Sequence, residues 1–260
     1  DPAVHAPHDA AMGAPIPMIA PPRLTVEGLS GRTARRIGHY ASWSPSMDEG
    51  WTRWILDQYR IPYATVRDRD LRAGDLARRF DVIVLPDQSS RALERGAMQR
   101  GYPDSLRGGI GREGAASLRR FVEGGGTLVA FNEASLYAIE ALDLPVRDVL
   151  DDVESRDFYA PGSLLRIEMT RGHPLARRLR TTPAIWFEDS PAFEVTHTTR
   201  ATVVARYPEA GDPLVSGWLL GGVRLRGKGA LVEARLGRGR VVLFGFRPQY
   251  RAQSMATYPL

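Results

Sequence analysis

The chain has 260 residues, 43% hydrophobic and 25% charged, with a mean hydropathy of −0.27, the composition of an ordinary globular chain forming one large domain or two small ones. It contains no cysteine, which excludes disulfides, cysteine zinc sites, iron–sulfur clusters and a cysteine nucleophile within it, and no apolar run approaches the roughly 18 to 20 residues of a membrane-spanning helix. The net charge of +5 and pI of about 9.8 do not argue for nucleic acid: Lys228 is the one lysine among 35 basic residues, and the arginines are interspersed with 30 acids, in pairs such as Arg78-Arg79 and Arg119-Arg120 that read as solvated faces complementing helix ends.

Residues 1–34 read as a linker and lead-in: the first 22 hold six prolines and six alanines with no apolar period. The chain starts at Asp1 without a charged-then-apolar leader, the pattern of a piece of a longer polypeptide or a processed product. His5 and His8 fall in this stretch, where a flexible segment offers neither a third metal ligand nor support for one.

From Arg35 short apolar runs alternate with amphipathic stretches, which predicts strand–helix–strand units around a parallel sheet. Ile37 to Ala41 is the first strand. Ser46 to Glu49 is a capping box opening a helix that carries Trp51, Trp54, Ile55 and Tyr59 on one face, a core or interface stripe. Tyr63 to Val66 is a second strand, Leu71 to Phe80 a short helix, and Asp81 to Pro86 a buried strand with Asp87, Gln88, Ser89 and Ser90 at its carboxyl end. A Gly-rich loop from Gly101 to Gly111 leads into a helix from Arg112 to Glu123 with Ala115, Leu118 and Val122 facing inward. The sequence Arg107 to Gly114 lacks the lysine of a phosphate loop and does not follow directly on a strand, which argues against nucleotide binding there. Gly124-Gly125-Gly126 ends that helix, Thr127 to Phe131 is another buried strand, and Asn132 to Ser135 turns the chain into a helix bearing Leu136, Ile139 and Leu142.

Residues 146–235 are β-rich, with strands predicted at Leu164 to Met169, Ala184 to Phe187, Ala201 to Tyr207 and Leu214 to Leu220, an antiparallel extension packed on the parallel sheet. Gly237-Arg238-Gly239 turns a hairpin between Leu231 to Leu236 and Val241 to Phe244, and the second strand delivers Phe246 to Arg251 to the edge where the other strands end. Ligands of open parallel sheets bind outside those carboxyl ends. The candidate crevice is therefore Asp87, Gln88, Ser89, Asn132, Glu133, Ser135, Arg247, Gln249 and Arg251, joined by the loop from Tyr40 to Glu49. These groups can bind a small molecule, yet they contain no evident set of nucleophile, base and orienter.

The succession D-V-I-V-L-P, G-G-G-T-L-V-A-F and G-R-G-R-V-V-L-F-G-F-R-P-Q resembles the class I glutamine amidotransferase-like fold, a flavodoxin-like, doubly wound, mostly parallel α/β sheet. That resemblance implies a cysteine at the elbow after a buried strand and a Phe-His-Pro-Glu segment after a later one. This chain has Asn132-Glu133-Ala134 at the elbow and Phe246-Arg247-Pro248-Gln249 in the later segment, so all three members of the triad are replaced. Arginine cannot serve as a base near neutral pH, and glutamine cannot hold an imidazolium electrostatically.

A wider resemblance, through S-W-S-P-S-M-D-E-G-W-T-R-W, L-P-D-Q-S, F-Y-A-P-G-S-L-L, H-P-L-A, P-L-V-S-G-W-L-L and G-F-R-P-Q-Y-R-A-Q, is to the region downstream of the catalytic domain in bacterial zinc carboxypeptidase-like proteins of the carboxypeptidase A type. It implies that residues 35–260 are a non-catalytic accessory domain packing on an upstream peptidase domain or binding a small or peptidic ligand, in a periplasmic or secreted protein, with cytoplasmic residence as the other possibility. The zinc of that family needs a His-x-x-Glu pair, and none of His5, His8, His39, His173 or His197 is followed by glutamate at the third position. No cofactor or metal is therefore expected in this chain, and zinc belongs to the upstream domain.

The competing reading is a serine hydrolase using Ser135 at the elbow, against Ser135 as an N-cap. Glu133 with Asp87 is a further acid/base pairing, and Arg247 with Arg251 is either a clamp for a carboxylate or phosphate or a pair of salt bridges.

Overall fold

The computed structural model describes residues 35–44, 46–96, 101–103, 106–177, 182–254 and 257. The linker reading of residues 1–34 lies outside them, as do His5 and His8.

The first strand, β1 (Ile37–Tyr40), leads through a serine-rich loop to α1 (Met47–Gln58) and β2 (Tyr63–Val66). The start of α1 is as the sequence predicts, with the Ser46 hydroxyl accepting the Glu49 N–H at 3.2 Å, which satisfies one of the orphan amides of the first turn. The reciprocal half of the box is missing. The Glu49 carboxylate turns instead to Arg53 and to His39, 3.4 Å away. The stretch predicted as one helix from Leu71 to Phe80 is two, α2 (Asp68–Ala73) and α3 (Leu76–Arg79), because Gly74 and Asp75 between them take φ of 78° and 59°.

Next come β3 (Val82–Leu85), α4 (Ser90–Arg95), α5 (Gly111–Glu123), β4 (Thr127–Phe131) and α6 (Glu133–Leu142). Helix α4 has no counterpart in the sequence reading, although Ser89 caps it by accepting the Ala92 N–H. In α5 the buried positions are Gly114, Ser117, Leu118, Phe121 and Val122, with Ala115 only half-buried.

The chain then forms β5 (Val146–Asp148), β6 (Ser163–Arg166), β7 (Glu168–Met169), β8 (Ala184–Phe187), β9 (Phe193–Val195), β10 (Ala201–Arg206), β11 (Leu214–Ser216), β12 (Gly229–Leu236) and β13 (Gly239–Phe244). The main sheet runs β2-β1-β3-β4-β13-β12-β10-β7. Its first five strands are mutually parallel and the rest antiparallel. The parallel half has the 2-1-3-4 order of a flavodoxin-like sheet, with β13 in the fifth place.

The β-rich extension is thus not simply laid on the sheet, because β10, β12 and β7 continue it edge to edge. The run predicted as one strand from Leu164 to Met169 divides at Ile167: β6 joins a separate sheet, β11-β6-β8, while β7 pairs with β10.

The central strands are apolar on both sides, as parallel strands covered twice must be. Leu128, Ala130, Val241 and Leu243 meet Leu118, Phe121 and Val122 of α5 and Ala134, Ala138 and Leu142 of α6. Val129, Phe131, Val242 and Phe244 face Leu165, Ile185, Phe187 and Tyr207 on the other side. Helix α1 departs from its predicted stripe. Its buried residues are Asp48 and Thr52, while Trp51 is half-buried and Trp54 is 41% exposed. No helix among the described residues is long and apolar enough to cross a membrane.

The start of β13 is pinned by close backbone approach. A Cβ on Gly239 would lie 2.1 Å from the Val122 carbonyl oxygen and 2.3 Å from that of Gly126, whereas one on Gly50, exposed in α1, would meet nothing within 4 Å. Gly239→Ala is expected to lower stability by about 1–3 kcal/mol or more through overpacking, and Gly50→Ala to raise it by about 0.5–1 kcal/mol. Urea denaturation of the two variants checks both signs.

Candidate functional site

The carboxyl ends of β1, β3, β4 and β13 lie side by side, so the segments that follow them form one edge. Phe246 is buried after β13, and Arg247 follows with its side chain only 8% exposed. A guanidinium is always charged and presents five donors, so burying it demands carboxylates. Three elements supply them. Its Nη1 lies 3.7 Å from Asp48 at the start of α1, its Nε 3.4 Å from Asp87 after β3, and its Nη2 3.1 Å from Glu188 after β8. The same Nη2 donates to the Glu188 carbonyl at 2.7 Å. The Tyr250 ring, stacked on Trp186, covers the guanidinium at 5.1 Å.

Asp87 is the second centre of the cluster. Its Oδ1 accepts the Glu133 N–H at 3.0 Å and its Oδ2 accepts the Asn132 side-chain amide at 3.1 Å. Asn132 also donates to the Asp189 carbonyl at 3.2 Å. It stands between β4 and α6 with φ 49° and ψ −122°, a sparsely populated conformation for a residue with a side chain, costing on the order of 1–3 kcal/mol. This is the strained strand-to-helix turn that exposes a nucleophile in hydrolytic folds. Here it holds a carboxamide. Gln249 completes the edge, donating to the Thr52 hydroxyl at 2.8 Å and to the Asp48 carbonyl.

One guanidinium faces three carboxylates, so full ionisation would leave excess negative charge in a buried place. Burial, reinforced by Asp48 and Glu133, pushes the Asp87 carboxyl up to about 7 against the opposing pull of Arg247. Burial also raises Asp48 and Glu133, the latter helped by Asp189. The acceptors Asp48 Oδ1, Asn132 Oδ1 and Gln249 Oε1 and the donor Arg247 Nε are buried without a hydrogen-bond partner.

The structure brings together Asp87, Asn132, Glu133, Arg247 and Gln249 of the sequence-predicted crevice. The others serve elsewhere. Ser89 caps α4, Gln88 donates weakly to the Ser44 carbonyl at 3.4 Å, and Arg251 is exposed against the Tyr250 ring. The N-cap reading of Ser135 is corrected. Asn132, not Ser135, occupies the N-cap of α6, and the Ser135 hydroxyl is fully buried, donating to the Ala130 and Phe244 carbonyls at 2.9 Å.

None of the described histidines is beside it. His39 is buried in β1 near Glu49, His173 caps a 3-10 turn at Pro174–Ala176, and His197 is exposed beside Thr196. One member of the cluster escapes the sequence reading, and another is only bracketed by it: Asp48 falls within the Tyr40 to Glu49 loop placed at the crevice but is not singled out there except as part of a helix cap. Glu188 directly follows a predicted strand, and that position at a strand's carboxyl end is the signal that could have found it. Among the described residues no group of three or more His, Cys, Asp or Glu is arranged to hold a metal ion.

Set beside known structures, the arrangement has relatives in fold. The chain is similar to a cytoplasmic protein of Salmonella typhimurium LT2, at 14% identity over 86% of this chain and 96% of that one, with a TM-score of 0.51. It is also similar, at 14% identity and a TM-score of 0.51, to a beta-galactosidase from Bacillus circulans sp. alkalophilus, where 85% of this chain corresponds to 30% of the longer one. A Thermoplasma acidophilum protein described as one of the subunits of a GMP synthase matches at 10% identity over 87% of this chain and 94% of that one, with a TM-score of 0.48. The likeness is one of fold. No protein-family model matches the chain, and no curated protein matches it by sequence.

Arg247→Met strands Asp48, Asp87 and Glu188 without a counter-charge and is expected to cost about 3–5 kcal/mol at pH 8, and less at pH 5, below the value of about 7 to which the Asp87 carboxyl is raised. The folded-state value of Asp87, about 7, lies above the roughly 3.9 of an unfolded chain. The folded protein therefore holds the extra proton between those values, and the contribution of Asp87 to stability is full below about pH 4 and lost as pH rises to about 7. Urea midpoints at pH 5 and pH 8 should show Asp87→Asn losing less stability across that interval than the unsubstituted protein does.

Proposed function

We propose that this chain is a non-catalytic domain of the class I glutamine amidotransferase-like type, in which the ancestral catalytic edge has become a closed structural cluster. The observation that carries the reading is Asn132 in the strained elbow, its amide bound to an Asp87 that is itself ion-paired with Arg247. Acyl transfer at such an elbow needs a nucleophile with a base in hydrogen-bond reach. A carboxamide supplies no nucleophile, and a guanidinium, which stays charged in proteins, removes no proton near neutral pH. The replacements Arg247 and Gln249 are also mutually consistent. The arginine recruits Asp48, and the glutamine ties the same turn of α1 through Thr52.

The serine-hydrolase alternative needs an accessible Ser135, whose hydroxyl is instead enclosed and bonded to two carbonyls. The acid/base alternative through Asp87 and Glu133 is weakened by the Glu133 N–H and the Asn132 amide, which occupy both oxygens of Asp87.

The finer proposal is that the domain is the accessory portion of a zinc carboxypeptidase-like polypeptide of the periplasm or exterior, packed on the peptidase domain. It rests on the sequence runs that resemble that family's downstream region. The zinc would be held by that upstream domain, with no ligand from this chain.

The purified protein is expected to show no glutaminase, esterase or peptidase turnover above background and no labelling by a fluorophosphonate probe. Turnover abolished by Glu133→Gln, or a covalent adduct at Ser135, would overturn the non-enzyme reading. The parentage fails if the native polypeptide carries no upstream domain with a His-x-x-Glu pair and a later histidine.

A further inference from the structure

Away from the strand ends, α4 packs against both α5 and α6, and α5 against α6. Between them lies an open groove of about 770 Å³, the size of small-molecule sites. Ala115, Ala116 and Ala141 give it apolar walls, and Arg91, Arg95, Arg112 and Arg119 line it together with Glu94 and Glu140. Four cations against two acids leave the lining at +2.

Those arginines are not equivalent. Arg95 pairs with Glu94 at 3.8 Å and Arg119 with Glu123 at 3.6 Å. Arg91 and Arg112 are exposed and have no ion pair among the described residues. Arg112 sits in the first turn of the 13-residue α5, where the positive end of the helix dipole repels a cation. Gly111 lines the groove beside it, and Ile110 at the N-cap offers no side-chain acceptor to the amides of that turn. Glu113, the acid of the same turn, does not line the groove. A cation placed at the wrong end of a helix does not serve helix stability, and a bound anion would satisfy both the guanidinium and the open amides.

The floor supplies a second and independent sign. Tyr137 of α6 lines the groove and is 5% exposed, yet its hydroxyl has no hydrogen-bond partner. A buried unsatisfied hydroxyl costs on the order of 1–3 kcal/mol, and a polar group of a ligand in the groove would remove that cost. We propose that this groove binds a small phosphate monoester, its phosphate held by Arg91, Arg112 and the first-turn amides of α5, its apolar body lying over the alanines, and a polar substituent at the far end of that body meeting the Tyr137 hydroxyl.

The proposal is independent of the reading of the strand-end cluster, since none of the residues it uses belongs to that cluster. Its test is titration of the whole chain with phenyl phosphate, 4-hydroxyphenyl phosphate, inorganic phosphate and benzoate, followed by calorimetry or amide chemical shifts. Phenyl phosphate is expected to bind at millimolar concentration or better and more tightly than inorganic phosphate, and the Arg91→Gln/Arg112→Gln double variant to lose at least about tenfold in affinity. Tyr137→Phe is expected to leave the free protein as stable or more so, and to weaken 4-hydroxyphenyl phosphate several-fold while leaving phenyl phosphate unchanged. Failure of phenyl phosphate to bind overturns the proposal, as does binding unchanged in the double variant. Benzoate binding as tightly as phenyl phosphate would overturn the phosphate assignment. 4-Hydroxyphenyl phosphate binding unaffected by Tyr137→Phe would overturn the part given to the hydroxyl.

Discussion

A guanidinium carried into the interior at the end of a central strand has to be neutralised where it stands, and Arg247 is in that position. Desolvating it costs several kcal/mol unless the partners are well placed. Its partners come from the start of α1, the end of β3 and the end of β8, segments far apart in sequence. The ion pairs therefore determine where those loops can lie. They tie the antiparallel extension, through Glu188, to the parallel half of the sheet, through Asp48 and Asp87. A histidine in the same place would need one acceptor and one donor, and would leave room for a ligand. An arginine needs the whole edge.

The elbow is the other constraint, and it depends on the first. Asn132 holds a conformation that most side chains avoid, and the surroundings over-determine it: its amide reaches Asp87 and the Asp189 carbonyl, and its backbone N–H donates to the Phe244 carbonyl at 2.8 Å. Strain of this kind in an enzyme aims a nucleophile. Here the same geometry aims a hydrogen-bond donor at the carboxylate that neutralises Arg247. A strained φ is by itself a poor sign of catalysis, because the same backbone shape can serve a hydrogen bond as well as a nucleophile.

The parallel half of the fold was legible because strands buried on both faces must be apolar throughout. Val82 to Leu85, Leu128 to Phe131 and Val241 to Phe244 have no polar residue to confuse the period. Short elements were not legible. Helix α4 is one and a half turns with one buried residue, Leu93, and β5 and β9 are three residues each, too brief for any periodicity. The division at Ile167 was invisible because Leu165, Ile167 and Met169 are all buried in one unbroken alternation, and nothing in that alternation tells which sheet receives each end. In the site, Asp87, Asn132, Glu133, Arg247 and Gln249 could be found from strand ends alone. Asp48 was hidden by its helix: the aromatic stripe of α1 suggested that Trp51 and Trp54 face inward, but the demand of Arg247 and Gln249 turned Asp48 and Thr52 there instead. A polar partner 199 positions away leaves no trace in local pattern.

The two polar regions of the molecule therefore differ in what they can offer a partner. At the strand ends the Arg247 guanidinium is already ion-paired and the amides of Asn132 and Gln249 already donate within the protein, and a ligand entering there would have to separate buried charges, which costs more than a new contact returns. On the helical face the exposed guanidinium groups of Arg91 and Arg112 keep their hydration and have no ion-pair partner among the described residues, so an anion displaces only water. Recognition is easiest where charge is unpaired. Where the strand-end edge holds the fold together, the physical chemistry favours the groove between the helices over the end of the sheet as the place for a ligand.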